Sequence, residues 1–499
     1  MLVVGVQTGS ASADAQREAG ATALVLTGPQ RAAAVQEAQA GAAATAKAIG
    51  LADREKLLVR DVVKDADGTV HTRYERTYEG LPVLGGDLVV HQKKDGSRAT
   101  TKATGARISV PTTEAKAPAA TARSTARKVI WAATGKPTLA WETTVTGTQP
   151  DGTPSERHVI TDAATGKELY SYEAIETGTG NTQYSGQVTL GTAPSYTLTD
   201  ATRGGHKTYD LNGGTNGTGS LFTNSTDTWG NGLATNRETA AADAHYGAAV
   251  TWDFYKNELG RNGIRGDGVA AYSRVHYGNA YVNAFWSDSC FCMTYGDGAG
   301  NLKPLTSLDV AGHEMSHGLT AATANLRYSK ESGGLNEATS DILGTSVEFY
   351  AANATDAGDY LIGEKIDIRG NGTPLRYMDK PSKDGNSADY WSNSVGRLDV
   401  HYSSGPANHF FYLLAEGSGT KTINGVVHSS ATYDGSTLTG IGRQKAYKIW
   451  YKALSTYMTS STNYAGARTA TLSAATDLYG ATSPEYTAVA KAWTAINVK

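Results

Sequence analysis

The chain has 499 residues, enough for more than one domain, and its 39% hydrophobic and 19% charged residues suit a soluble globular protein. A net charge of -3 with no basic cluster argues against a polyanion-binding surface and so against a nucleic-acid partner. No run reaches the roughly eighteen apolar residues that a membrane helix needs.

Residues 1–6 are apolar but short, and Ser10-Ala11-Ser12-Ala13 fits a small-residue cleavage site. Residues 1–13 therefore read as the remnant of a signal peptide, which implies a secreted, extracellular protein. Residues 14–50 are rich in Ala, Gln and Gly and suit a marginal helix or an open segment. From 51 to 108 apolar residues alternate in 57–63, 70–78 and 88–91, separated by Asp67-Gly68 and Gly85-Gly86. That pattern predicts an antiparallel sheet. Residues 109–125 hold much Thr, Ala and Pro and read as a linker. A second small α+β unit is expected over 126–178, with strands at 139–145, 158–162 and 169–172. The stretch Glu176-Thr177-Gly178-Thr179-Gly180-Asn181 is polar and lacks an apolar period, so the maturation cut is expected near it.

Beyond it, 179–325 reads as a strand-rich lobe with Gly, Asn and Asp turns, closing on a metal-binding helix. The last part, 326–499, has a helical period: Ala446, Ile449, Trp450, Ala453 and Leu454 mark one buried face. Only two cysteines occur, Cys290 and Cys292. They can stay free in a reducing compartment or close a small disulfide in an oxidising one. Two sulfurs alone make a poor zinc site.

The chemistry centres on His313-Glu314-Met315-Ser316-His317. Residues four apart share a helix face, so both imidazoles can reach one ion. Glu314 then sits beside the ion's open position, where it can take a proton from water. Ser307 can cap this helix, Asp309 falls in its first turn, and Ala311, Met315 and Leu319 form an apolar stripe. A catalytic zinc needs a third protein ligand. Thr320 and Thr323 exclude the class that places a Gly and a His just downstream. Glu337, on the next predicted helix, supplies the ligand instead, with Asp341 one turn on to hold a ligating imidazole. His401, with Asp399 two residues before it, can stabilise an oxyanion.

Together with Tyr281-Val282-Asn283-Ala284-Phe285-Trp286, Gly334-Leu335-Asn336-Glu337-Ala338 and Leu375-Arg376-Tyr377-Met378-Asp379, these motifs closely resemble the thermolysin family of neutral metalloproteases from about residue 180 onward. The preceding segments resemble that family's precursor regions: 51–108 the fungalysin/thermolysin propeptide domain and 126–178 a PepSY module. The implied fold is α+β: two small prodomains, then a two-lobed catalytic domain with the zinc cleft between a β-rich and a helical lobe. The resemblance implies one catalytic zinc on His313, His317 and Glu337, with Glu314 as general base. It implies that His401 and Tyr328 steady the oxyanion, with Asp341, Asn336 and Asp399 behind the reacting groups. Asn283 and Ala284 would hold the substrate backbone, and Arg376 would line a pocket for a large apolar side chain just after the scissile bond. It further implies structural calcium, one ion or two, on Asp309, Glu348, Asp359 and Glu364; Leu361 stands where the type member has a carboxylate, which argues against the second. The expected partners are protein and peptide substrates and the chain's own propeptide, as chaperone and inhibitor of a monomer. A zinc-stabilised binding protein without catalysis is the competing reading; the intact Glu314 and His401 argue against it.

Overall fold

The alternating stretches between residues 55 and 92 do form strands, and most of the helices lie after residue 300. The computed structural model describes residues 24, 26, 28–117, 124–148, 154–173, 177–193 and 196–499. The expected signal-peptide remnant, 1–13, lies outside them. Two compact units result, Met1–Ile175 and Glu176–Lys499.

In the first unit, helices α1 (Gly28–Ala40) and α2 (Ala42–Ala48) precede strands β1 (Glu55–Lys64), β2 (Val70–Tyr78), β3 (Leu81–Leu84), β4 (Leu88–Gln92) and β5 (Arg98–Lys102). Strands β6 (Ser124–Trp131), β7 (Thr138–Thr148), β8 (Pro154–Asp162) and β9 (Glu168–Glu173) follow. Ala42 and Ala46 of α2 pack on Leu57, Tyr74, Leu88 and Val90, the inward residues of the sheet. The two precursor segments share one sheet, because β3 and β6 pair in parallel with Val83 opposite Ile130. Among its described residues the second segment holds no helix: β6 to β9 run as an antiparallel meander. Part of the stretch read as a linker is tied down. Val110 is buried, and the Trp141 indole N–H donates to the Ala117 carbonyl (3.0 Å).

The second unit carries strands β10 (Thr177–Asn181), β11 (Gln187–Gly191), β12 (Thr199–Asp200), β13 (His206–Asp210), β14 (Ser220–Leu221), β15 (Thr228–Trp229), β16 (Tyr272–Val275), β17 (Ala284–Ser287), β18 (Cys292–Tyr295), β19 (Leu361–Ile362) and β20 (Arg376–Tyr377). Its helices are α3 (Arg237–Leu259), α4 (Leu308–Ala321), α5 (Lys330–Ala351), α6 (Val400–Ser403), α7 (Gly405–Glu416), α8 (Arg443–Thr456), α9 (Tyr464–Tyr479) and α10 (Pro484–Ala495).

Three local expectations change here. The polar 176–181 stretch is not open: all but Glu176, which lies outside the described residues, is strand β10, paired with β11 and β15. Its glycines serve close packing, since a Cβ on Gly178 would lie 2.5 Å from the Asp227 carboxylate and one on Gly180 2.9 Å from Leu190. The strand-rich lobe also contains the long helix α3. The Asn236 side chain caps its start, and Gly260 closes it in the left-handed conformation (φ 65°). Ala240, Ala241, Ala242 and Ala244 are all buried, so no one-sided stripe marks this helix in the sequence. Finally, Ser307 stands at the cap position of α4 but does not cap it; its hydroxyl donates to the Asp309 carboxylate at 2.6 Å.

The expected face of α8 is inside: Ala446, Ile449, Trp450, Ala453 and Leu454 are all buried. α5 runs through the core with Leu335, Ala338, Ile342, Leu343 and Val347 fully covered. It lies close against α4, where a Cβ on Gly344 would come within 2.5 Å of the Asp309 carbonyl. That close approach brings His313 and His317 of α4 beside Glu337 of α5. Among the described residues β17 forms the edge of its sheet, pairing only with β18.

Candidate active site

Helix α4 turns His313 and His317 to one side, and α5 presents Glu337 to them. The two imidazole Nε2 atoms lie 3.1 Å apart. Glu337 Oε2 is 3.5 Å from His313 Nε2, and Oε1 is 3.4 Å from His317 Nε2. All three ligand atoms fall within 4.8 Å of one another. Each ring's other nitrogen is occupied: His313 Nδ1 bonds Asp341 Oδ1 (2.8 Å) and His317 Nδ1 bonds Asn336 Oδ1 (2.7 Å). An N–H donated to each oxygen leaves both Nε2 lone pairs facing inward, as metal ligation requires. Asn336 is itself fixed, donating to the Leu326 carbonyl at 2.9 Å. Glu337 is completely buried, and its Oε2 has no hydrogen-bond partner. A buried carboxylate oxygen aimed at two imidazole lone pairs fits a divalent cation that prefers nitrogen and oxygen donors, zinc above all.

Without a metal, the charges around the site favour a proton on His313, which a bound cation would displace. Burial would raise the Asp341 carboxyl, but the Arg376 guanidinium and the His313 bond hold it far below the usual range. Burial opposes charge on His313, yet the Asp341 bond and the Glu337 charge lift it to about 9. His317 lies at about 4, chiefly through burial. Glu314 is 5% exposed, and burial pushes its carboxyl up to about 7, a value suited to a group that takes and returns a proton near neutral pH.

Asn283, Ala284, Tyr328, Asn336, Arg376 and His401 border the same cleft of about 810 Å³. Asn283, Ala284 and Trp286 form one wall along the edge strand, with Glu314 behind. Tyr328 and His401 stand at the mouth; the Tyr328 hydroxyl donates to Glu337 Oε1 and lies 3.3 Å from His401 Nε2. Asp399 Oδ1 takes both the His401 backbone N–H (3.0 Å) and Nδ1 (2.7 Å), which points Nε2 into the cleft. Arg376 lines the cleft but is 6% exposed and grips Asp341 through Nε (2.8 Å) and a terminal nitrogen (2.6 Å). Around it Val310, Ile362, Ile366, Ile368 and Leu375 make the apolar end of the cleft. Cys290 and Cys292 are joined in a disulfide at the β17–β18 turn.

Beneath α4, carboxylate oxygens of Asp309, Glu348 and Glu364 lie within 4.8 Å of one another. Asp359 borders them: its backbone N–H donates to Glu348 Oε2 (3.0 Å) while its carboxylate takes the Leu361 N–H (2.6 Å). The sequence reading overlooked Asp356. It is fully buried, and neither carboxylate oxygen has a hydrogen-bond partner. The cluster of acids at 356, 359 and 364 was the available signal. So many buried oxygen donors suit a hard cation such as calcium. Asn408 was also missed; its side-chain amide donates to Asp341 Oδ2 at 2.8 Å.

Comparison with known proteins shows the family of the chain. Residues 177–321 match the thermolysin metallopeptidase catalytic domain and 324–498 its alpha-helical domain. Residues 55–97 match the fungalysin/thermolysin propeptide motif. A transglutaminase-activating metalloprotease from Streptomyces mobaraensis is 59% identical, over all of this chain and 70% of its own length. A thermolysin from Alicyclobacillus acidocaldarius subsp. acidocaldarius is 37% identical over 89% of this chain and 86% of its own. The solved precursor of protealysin from Serratia proteamaculans is 28% identical, covers 62% of this chain and 90% of its own, and has a TM-score of 0.46.

Proposed function

Because the chain belongs to the thermolysin family of metallopeptidases, we propose that it is the precursor of a secreted zinc endopeptidase that cuts before large apolar residues. The observation that carries this is the convergence of His313 Nε2, His317 Nε2 and Glu337 within 4.8 Å, with both outer imidazole nitrogens already held. When bound there, zinc supplies a Lewis acid that polarises the peptide carbonyl and acidifies water. The protein's own groups do the rest. Glu314 takes the proton of the attacking water and passes it to the leaving amine. His401, held by Asp399, and Tyr328 donate to the oxygen that gains charge. Asn283 and Ala284 hold the substrate as an added strand on the edge of β17.

The apolar lining from Val310 to Leu375 supports a large apolar side chain after the scissile bond. Asp309, Glu348, Asp356, Asp359 and Glu364 would hold calcium, one ion or two. The propeptide match supports residues before β10 as an intramolecular inhibitor and folding aid. Secretion accords with the disulfide and with the expected signal-peptide remnant. Among the described residues no helix is long and apolar enough to cross a membrane. The test is hydrolysis of a protein substrate by the processed chain. A zinc chelator should abolish it and added zinc restore it; activity that survives removal of the metal would overturn the proposal.

A further inference from the structure

We infer that Asn408 is a positioning residue for the metal centre, acting through Asp341 on His313; this rests on the reading of His313, His317 and Glu337 as zinc ligands. Asp341 is fully buried, and both of its oxygens accept twice. Oδ1 takes His313 Nδ1 (2.8 Å) and an Arg376 terminal nitrogen (2.6 Å). Oδ2 takes Arg376 Nε (2.8 Å) and Asn408 Nδ2 (2.8 Å). A carboxylate has about four acceptor positions, so this one is saturated. Its donors come from three separate elements: α4, β20 and α7. Any rotation of the carboxylate that would let the His313 ring swing must break bonds to all three.

The cost of the arrangement argues for its purpose. Asn408 is 1% exposed, and its Oδ1 has no hydrogen-bond partner. A buried amide with an unpaired acceptor lowers stability. A leucine shares its branched shape and carries no such cost, so the donor atom, not the packing, accounts for an amide at this place. The same segment also delivers the oxyanion group. Asp399 caps α6, which carries His401, and α7 follows at once with Asn408 in its first turn. The Tyr464 hydroxyl pins the join between them, donating to the Ser403 carbonyl at 2.5 Å. One rigid stretch therefore sets both His401 at the cleft mouth and the carboxylate behind the metal.

The experiment compares zinc affinity of the full chain and its Asn408→Leu variant, by competition with a chromophoric chelator, beside the melting temperature of each zinc-free form. Outer partners of metal ligands change affinity by about 10–100-fold. One bond further out, zinc binding should weaken roughly 3- to 10-fold while the zinc-free form still folds. A merely structural role would lower the melting temperature and leave zinc affinity unchanged, and that result overturns the inference. In an Asp341→Ala background the leucine substitution should add almost no further loss, because no side chain remains to carry its effect to His313. Independent, multiplying losses would also overturn it. If the leucine variant does not fold, Asn408→Ala replaces it in both measurements. A parent chain that binds no zinc at this site refutes the underlying reading, an outcome distinct from unchanged affinity in the variant.

Discussion

Stripping all metal and adding back only calcium sets the buried acids beneath α4 against one another in a measurable way. Burial, then neighbouring negative charge, pushes Asp356 up to about 7, Asp359 to about 6 and Glu364 to about 10, and raises Glu348 as well. These values stand above the ordinary 3.8 to 4.5 of the unfolded chain. Between about pH 4 and pH 7 the cation-free folded state therefore holds more protons than the unfolded one, and its stability falls as pH rises. For Asp356 alone the loss by pH 8 is roughly 4 kcal/mol. Bound calcium replaces those protons. At a calcium concentration about 100-fold over Kd it adds roughly 3 kcal/mol. For a unit of this size that amounts to about 4 °C in Tm. Calorimetry at pH 5.5 and pH 8 should show the calcium gain larger at pH 8. Asp356→Asn should raise the calcium-free Tm at pH 8 and shrink the calcium gain. Equal Tm with and without calcium at pH 8 would refute the reasoning.

Other consequences are sharper at the cleft. Asp341→Asn should weaken zinc binding by about 10–100-fold, read by chelator competition, since it removes the negative charge that His313 Nδ1 and Arg376 both face. It should also destabilise the chain, because Arg376, 6% exposed, loses its charged partner. Gly318→Ala puts a methyl 2.7–2.9 Å from the Trp286 ring, on the cleft wall. The indole must move, so peptide hydrolysis should fall with zinc content unchanged; equal kcat/KM in both proteins would show that Trp286 does not shape the cleft.

Local spacing carried the His313, Glu314 and His317 part of the site, which lies within five residues on one helix face. His401, Tyr328, Arg376, Asn283 and Ala284 were legible chiefly through the family resemblance. Glu337 and Asp341 were legible as neighbours on one turn. Asn408 was not, because it meets Asp341 across 67 residues of chain and nothing in its own surroundings marks it. Asp356 was passed over among many surface acids; only its complete burial sets it apart. In the fold, alternation gave β1, β2 and β4, but the parallel pairing of β3 with β6 depends on contacts no local pattern records. Helix α3 escaped because small residues let it be buried on most sides, which erases the usual polar face. The glycines of β10 sit in a stretch without apolar period, yet they form the contact surface of a strand.

The central claim is that His313, His317 and Glu337 hold one catalytic zinc and that Glu314 moves the proton. It is tested most directly by measuring zinc content and peptide hydrolysis on the same processed samples of the parent chain and Glu314→Gln. The account predicts about one zinc per chain in both proteins. It also predicts hydrolysis in the parent and a loss of at least about 100-fold in the variant. Hydrolysis at the parental rate by zinc-loaded Glu314→Gln would contradict it.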